Sequence, residues 1–141
     1  MMDPELDFLE WHDAHLDRIV RNGTDVRLEF TDVPVYRKVG PGLWEAEIGP
    51  VVLVLIGAQV DSNPPGDERT EDSGWVMACT RSEPMARNDI QGFGQGVGPG
   101  IIAFEMVDCS TVTATFQHAQ LTIVGPLEKC GRQFEGTRPE M

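Results

Sequence analysis

Asn22-Gly23 stands between two runs that alternate apolar and polar side chains, and no other dipeptide constrains the fold so tightly. Both residues tolerate the positive φ that a two-residue hairpin turn demands. Downstream, Val26, Leu28 and Phe30 alternate with Arg27 and Glu29, the period of a half-buried strand. Upstream, a strand over 14–21 is expected to pair with 24–31. A turn at 22–23 sets Ile19 opposite Val26 and would leave Leu16 opposite Glu29, on the wrong face. One extra residue at Asp17-Arg18, a β-bulge, brings Leu16 opposite Leu28 and Ala14 opposite Phe30. Asp3-Pro4 is a good helix start, so a short N-terminal helix or coil is expected up to Trp11. A helix continuing through Phe8, His12, Leu16, Ile19 and Val20 is the competing reading of this segment.

The remaining chain reads as more strand. Trp44, Ala46 and Ile48 alternate with Glu45 and Glu47, which predicts one wet face. The run Val51 to Ile56 is β-branched and does not alternate, as in a central strand buried on both faces. Further strands are expected at 75–80, 101–107, 111–117 and 119–124. Long loops are expected at 61–74 and 82–100, the first holding Pro64-Pro65-Gly66 and the second a glycine repeat. Residues 126–141 read as a polar tail with a frayed end. The pattern Val26-x-Leu28-x-Phe30-x-x-Val33-x-Val35 echoes Val112-x-Ala114-x-Phe116-x-x-Ala119-x-Leu121. In both, the apolar phase slips by one residue after the Phe, as when a strand turns a corner. The expected fold is mainly β: an antiparallel, strongly bent sheet or β-sandwich of about seven or eight strands in one domain, 1–125, with at most one short N-terminal helix. Its core should hold Leu16, Ile19, Val26, Leu28, Phe30, Trp44, Leu53, Leu55, Trp75, Phe104, Phe116, Leu121 and Ile123.

Charge narrows the function. With 23 acidic and 11 basic side chains the net charge is −12, a poor match for a nucleic-acid backbone or an acidic membrane. A basic protein partner fits it better. No stretch has the form of a signal peptide, and the longest apolar run is too short to span a bilayer, so a cytoplasmic location is expected. Cys79, Cys109 and Cys130 are widely spaced, with no Cys-x-x-Cys pair; Cys79 and Cys109 lie in apolar runs and read as buried thiols.

The densest group of reactive side chains is Trp11-His12-Asp13-Ala14-His15. Two histidines and an aspartate in four positions suit acid–base work or metal binding. A metal would need a further ligand, and His118 is the remaining histidine, giving His12, His15 and His118 as the alternative metal set. The competing reading is structural: Asp13 accepts backbone N–H bonds and His12 packs under Trp11, fixing the start of the sheet. The glycines at 92–100 alternate, so they form neither Gly-x-Gly-x-x-Gly nor a P-loop. Phe93 and Val97 either pin that loop to the body or face a partner; a small-ligand cleft gated by the 92–100 loop is a third reading. No Gly-x-Ser-x-Gly is present. Asp67, Glu68, Glu71 and Asp72 in the Pro-rich loop read as a solvated cluster or a surface for a basic protein.

The segment Trp11-His12-Asp13-Ala14-x-Leu16-x-x-Ile19, followed by Val26-x-Leu28-x-Phe30, resembles small bacterial domains of unknown function that open on an aromatic-His-Asp-Ala motif. Some of them are immunity proteins of polymorphic toxin systems. The resemblance covers the first quarter of the chain and implies a mainly β fold, with no catalytic residues to carry over. The long segment 61–100 departs from a compact version of such a domain. The expected function is a non-enzymatic, protein-binding domain of immunity type, with no cofactor. The alternative is a metal-binding protein or hydrolase-like enzyme centred on His12, Asp13 and His15. A homodimer through an open sheet edge is a further expectation.

Overall fold

The computed structural model describes residues 6–68, 73–82 and 90–136. They form an antiparallel β-sandwich of ten strands and one short helix. The first strands are β1 (Leu6–Leu9), β2 (His15–Asn22), β3 (Asp25–Gly40), β4 (Leu43–Ile56) and β5 (Gln59–Asn63). β6 (Val76–Arg81), helix α1 (Ile90–Gln95), β7 (Gly100–Met106), β8 (Thr111–Phe116), β9 (His118–Ile123) and β10 (Glu128–Glu135) complete the set.

The organising element is the long β3–β4 hairpin, paired from Val26–Leu55 to Gly40–Leu43. β2 and β1 each pair directly with β3, along its first and second halves, and β10 and β9 each pair directly with β4, along its first and second halves. These six strands make one sheet. The other has the order β5-β8-β7-β6. The main core between the sheets includes Leu16, Leu28, Phe30, Leu53, Leu55, Phe104 and Leu121. At the tip of the hairpin a second apolar cluster, Phe8, Tyr36, Trp44 and Ala46, lies on the opposite face. Phe8 stacks on Tyr36 at 4.5 Å, and Trp44 meets Phe134 at 5.7 Å.

The first hairpin forms with its bulge between Leu16 and Arg18, where the apolar register requires it. Its turn is one residue later than expected. Asn22 pairs with Asp25, so Gly23-Thr24 is the loop, Ile19 faces Leu28 and Leu16 faces Phe30. Positive φ falls on Gly23 alone (65°), the signature of a type II′ rather than a type I′ turn.

The phase slip after each Phe has two outcomes. In β3 it is a register shift between Phe30 and Val33, with Asp32 at φ 54°. In the second copy it ends β8 at Phe116 and begins β9 at His118, carrying the chain from one sheet to the other.

Several expectations need correction. No N-terminal helix occurs where Leu6–Leu9 is described; that segment is a strand on β3, because Phe8 and Leu9 supply apolar side chains to both faces. The helix is α1, inside the expected 82–100 loop. Within the expected 126–141 tail, Glu128–Glu135 is a strand: β10 pairs with β4 from Ile48 to Leu43, and residues 137–141 lie outside the described residues. The expected wet face of 44–48 is covered, with Glu47 buried and paired to Arg37 at 2.6 Å. The run 51–56 is central, but its second face is only partly covered and Ile56 is exposed. Trp75 is exposed rather than core, and Ile123 is partly buried. Cys109 is exposed in a turn, whereas burial pushes the Cys79 thiol up to about 11. No helix among the described residues is long and apolar enough to cross a membrane.

Candidate functional site

The chain from Glu10 to His15 has to leave β1 and enter β2 while both strands stay on β3. It does so through a tight turn at Trp11–Asp13, with Asp13 in the left-handed region at φ 74°. The Ala14 N–H donates to the Trp11 carbonyl at 2.9 Å, and the Asp13 N–H donates to the Val76 carbonyl at 3.1 Å. The turn therefore also joins the two sheets. It separates the reactive side chains that the sequence places together.

Trp11 points into the core and is 1 % exposed. Its ring packs against Phe30 at 4.9 Å, Phe104 at 5.4 Å and Phe93 at 6.4 Å. The buried indole Nε1 has no hydrogen-bond partner, an unusual state for a buried N–H.

His12 and Asp13 point outward. His12 Nδ1 lies 3.3 Å from Asp13 Oδ2. Asp13 also faces the Arg132 guanidinium at 3.5 Å, and Arg132 donates to Glu10 Oε1 at 2.9 Å. The Tyr36 hydroxyl donates to the same Glu10 oxygen at 3.3 Å. Burial raises the Glu10 carboxyl above its ordinary value, Arg132 pulls it back and Asp13 adds to the rise. Burial likewise raises the Tyr36 phenol. Glu10, Tyr36 and Arg132 were not singled out from sequence. They meet because β1, β3 and β10 share the hairpin tip, and nothing in local spacing reports that.

His15 belongs to another environment. It is buried, its Nδ1 lies 2.7 Å from Asp17 Oδ1, and its ring meets Trp75 edge-on at 4.8 Å. His118 sits beside Gly96, on the strand that bridges Val97. The structure gives His12 and His15 different partners, and no group of three metal-ligating side chains forms among the described residues. His12 does not pack under Trp11, and the Asp13 carboxylate serves Arg132 and His12.

Phe93 and Ile90 fill the core beneath α1 rather than face outward. Val97 is half-buried and exchanges two backbone hydrogen bonds with Ala119, at 2.8 and 2.7 Å. In the Pro-rich loop, Asp67 is taken by Arg21 at 2.9 Å. Glu71 and Asp72 lie outside the described residues. No family model matches this chain, and neither a curated protein nor a solved structure matches it.

Proposed function

We propose that this chain is a non-enzymatic protein-binding domain of immunity type, whose partner presents a basic surface. The observation that carries the reading is how the cations are used. Arg18, Arg21, Arg27, Arg37, Lys129 and Arg132 each pair with a carboxylate of the chain itself. Lys38 lies over the Trp44 ring at 6.0 Å, and Arg81 reaches the Cys79 carbonyl at 3.4 Å. The described cations are thus engaged internally, and the net charge of −12 is carried outward by the carboxylates. Such a field speeds encounter with a basic partner and repels phosphate backbones.

The test is co-expression with the product of a neighbouring toxin-like gene, followed by calorimetric titration. We expect a complex that weakens by about tenfold or more between roughly 50 and 300 mM salt. An isolated gene, or a complex indifferent to salt, refutes the reading.

A second reading is favoured by one observation: Glu10, raised by burial, shares a surface with Tyr36, Arg132, Asp13 and His12. A half-buried carboxyl whose proton is held more tightly than usual, beside a His–Asp pair, is an acid–base arrangement. Screening model esters and phosphoesters against wild type and Glu10→Gln tests it. Turnover that Glu10→Gln leaves unchanged removes this reading.

A further inference from the structure

We infer that Trp75, Met77 and Val107, on the outer face of the four-stranded sheet, form the contact surface for the basic partner, with Trp75 as its anchor. This rests on the protein-binding reading above and assigns it a place and a contact chemistry. A lysine or arginine of the partner lays its alkyl stem across these side chains and its charge beside the indole.

Three observations point there. The first is exposure. Trp75 is 37 % exposed, Met77 48 % and Val107 55 %, while Trp11 and Trp44 are buried. Trp75 and Val107 are neighbours, and Met77 follows Trp75 by two residues. The Val107 N–H donates to the Trp75 carbonyl at 2.9 Å, and the next pair, Val76 and Met106, is buried in the core. Alternation therefore puts Trp75 and Val107 together on the outside.

The second is rigidity. The Leu16 N–H donates to the Gly74 carbonyl at 2.7 Å, and the Val76 N–H donates to the Ala14 carbonyl at 2.8 Å. His15, held by Asp17, packs edge-on against the indole, and a side chain at Gly74 would overlap the His15 ring. An exposed tryptophan on a clamped backbone offers apolar area at low entropy cost, as binding hot spots do.

The third is charge. Glu105 lies two residues before Val107 on the same face, and Asp17 stands behind Trp75 through His15. A cation over an indole with carboxylates nearby gains from both. A second copy of this chain would bring the same negative charge to the patch and is disfavoured. The edge of β6 is also unsuited to strand addition, since it carries a bulge at Met77 and Arg81 caps the Cys79 carbonyl.

The test uses synthetic dodecapeptides of alternating Lys-Leu, Lys-Ser and Glu-Leu. Each is dye-labelled and followed by anisotropy, with intrinsic tryptophan emission in parallel. The Lys-Leu peptide should bind, shift emission to the blue and shield it from acrylamide, because Trp75 is the accessible tryptophan. Trp75→Ala should weaken binding at least about tenfold. Trp75→Tyr should retain most of it, and Glu105→Lys should weaken it while the unbound spectrum stays unchanged.

Equal binding of Lys-Ser and Lys-Leu overturns the proposal, as do binding by Trp75→Ala at wild-type strength and the failure of every peptide to bind. Undiminished capture of the co-expressed partner by Trp75→Ala overturns this surface while leaving the protein-binding reading intact. Failure of the wild-type protein to capture that partner removes the reading itself.

Discussion

Phe93→Ala tests how the glycine-rich segment is held. Phe93 is 2 % exposed and rests its ring against Trp11. Truncating a fully buried Phe to Ala costs about 3–5 kcal/mol from lost transfer energy and the cavity left behind. The helix around it cannot supply compensation. α1 has six residues, while isolated helices need roughly 12–15 to be marginally stable. Gly92 and Gly94 each cost it about 1 kcal/mol relative to alanine. Besides Phe93 the segment is held by Ile90, the Val97–Ala119 pair, a bond from Gln120 to the Gly94 carbonyl at 2.9 Å and one from Gln91 to the Leu6 carbonyl at 3.4 Å. For a domain whose total stability is about 5–15 kcal/mol, the loss is large. Urea unfolding should show it, and amide exchange at Gly96 and Val97 should accelerate more than in β4. A loss under about 1 kcal/mol with unchanged exchange would falsify the view that Phe93 packing, rather than helix formation, orders this segment.

Three further outcomes follow from the geometry. Trp11→Phe removes an unpaired buried N–H, whose burial costs about 1–3 kcal/mol, and so offsets much of the lost packing. Denaturant melts should place it well above Trp11→Ala, and equal losses would contradict this. Glu10 has a folded-state value raised above 4.5, so its favourable contribution is complete below that pH and disappears as pH rises through the raised value. The stability of wild type relative to Glu10→Gln should therefore fall as pH climbs from 4 to 7, and a rise reverses the assignment. Gly96→Ala meets the His118 ring at φ 102°, so it should destabilise through both overlap and backbone strain. Adding His118→Ala should recover the overlap part only; complete recovery in a thermal melt would mean that the backbone is unstrained.

The sequence made the strands legible wherever one face is apolar, because period two is written in residues such as Val26, Leu28 and Phe30. It also revealed the bulge at Asp17, since only an extra residue keeps Leu16 and Ile19 on one face. It did not reveal β10, whose burial is slight and whose pairing with β4 is purely long-range. β1 was hidden for a related reason: Phe8 and Leu9 both find apolar surroundings, so their alternation is invisible. The turn was misplaced by one residue because Asn22-Gly23 suits one turn type and Gly23-Thr24 another. The His12–Asp13 pair could be proposed from adjacency. Its partners Glu10, Tyr36 and Arg132 could not, because tertiary pairing alone brings positions 10, 36 and 132 together. Trp75 was misread because aromatic character suggests burial, while its pairing with Val107 puts it outside.

The β3–β4 hairpin has a consequence for the order of assembly. Its two strands are adjacent in sequence and can close as soon as residue 56 has been made. The ion pair between Glu10 and Arg132 spans 122 positions and must wait for β10. During synthesis the hairpin tip therefore carries Phe8, Tyr36 and Trp44 before Phe134 is there to pack against Trp44. That interval is when this end of the molecule is most open to non-native strand pairing. β10, which adds little buried surface, completes the tip by occupying the β4 edge as much as by adding to the core.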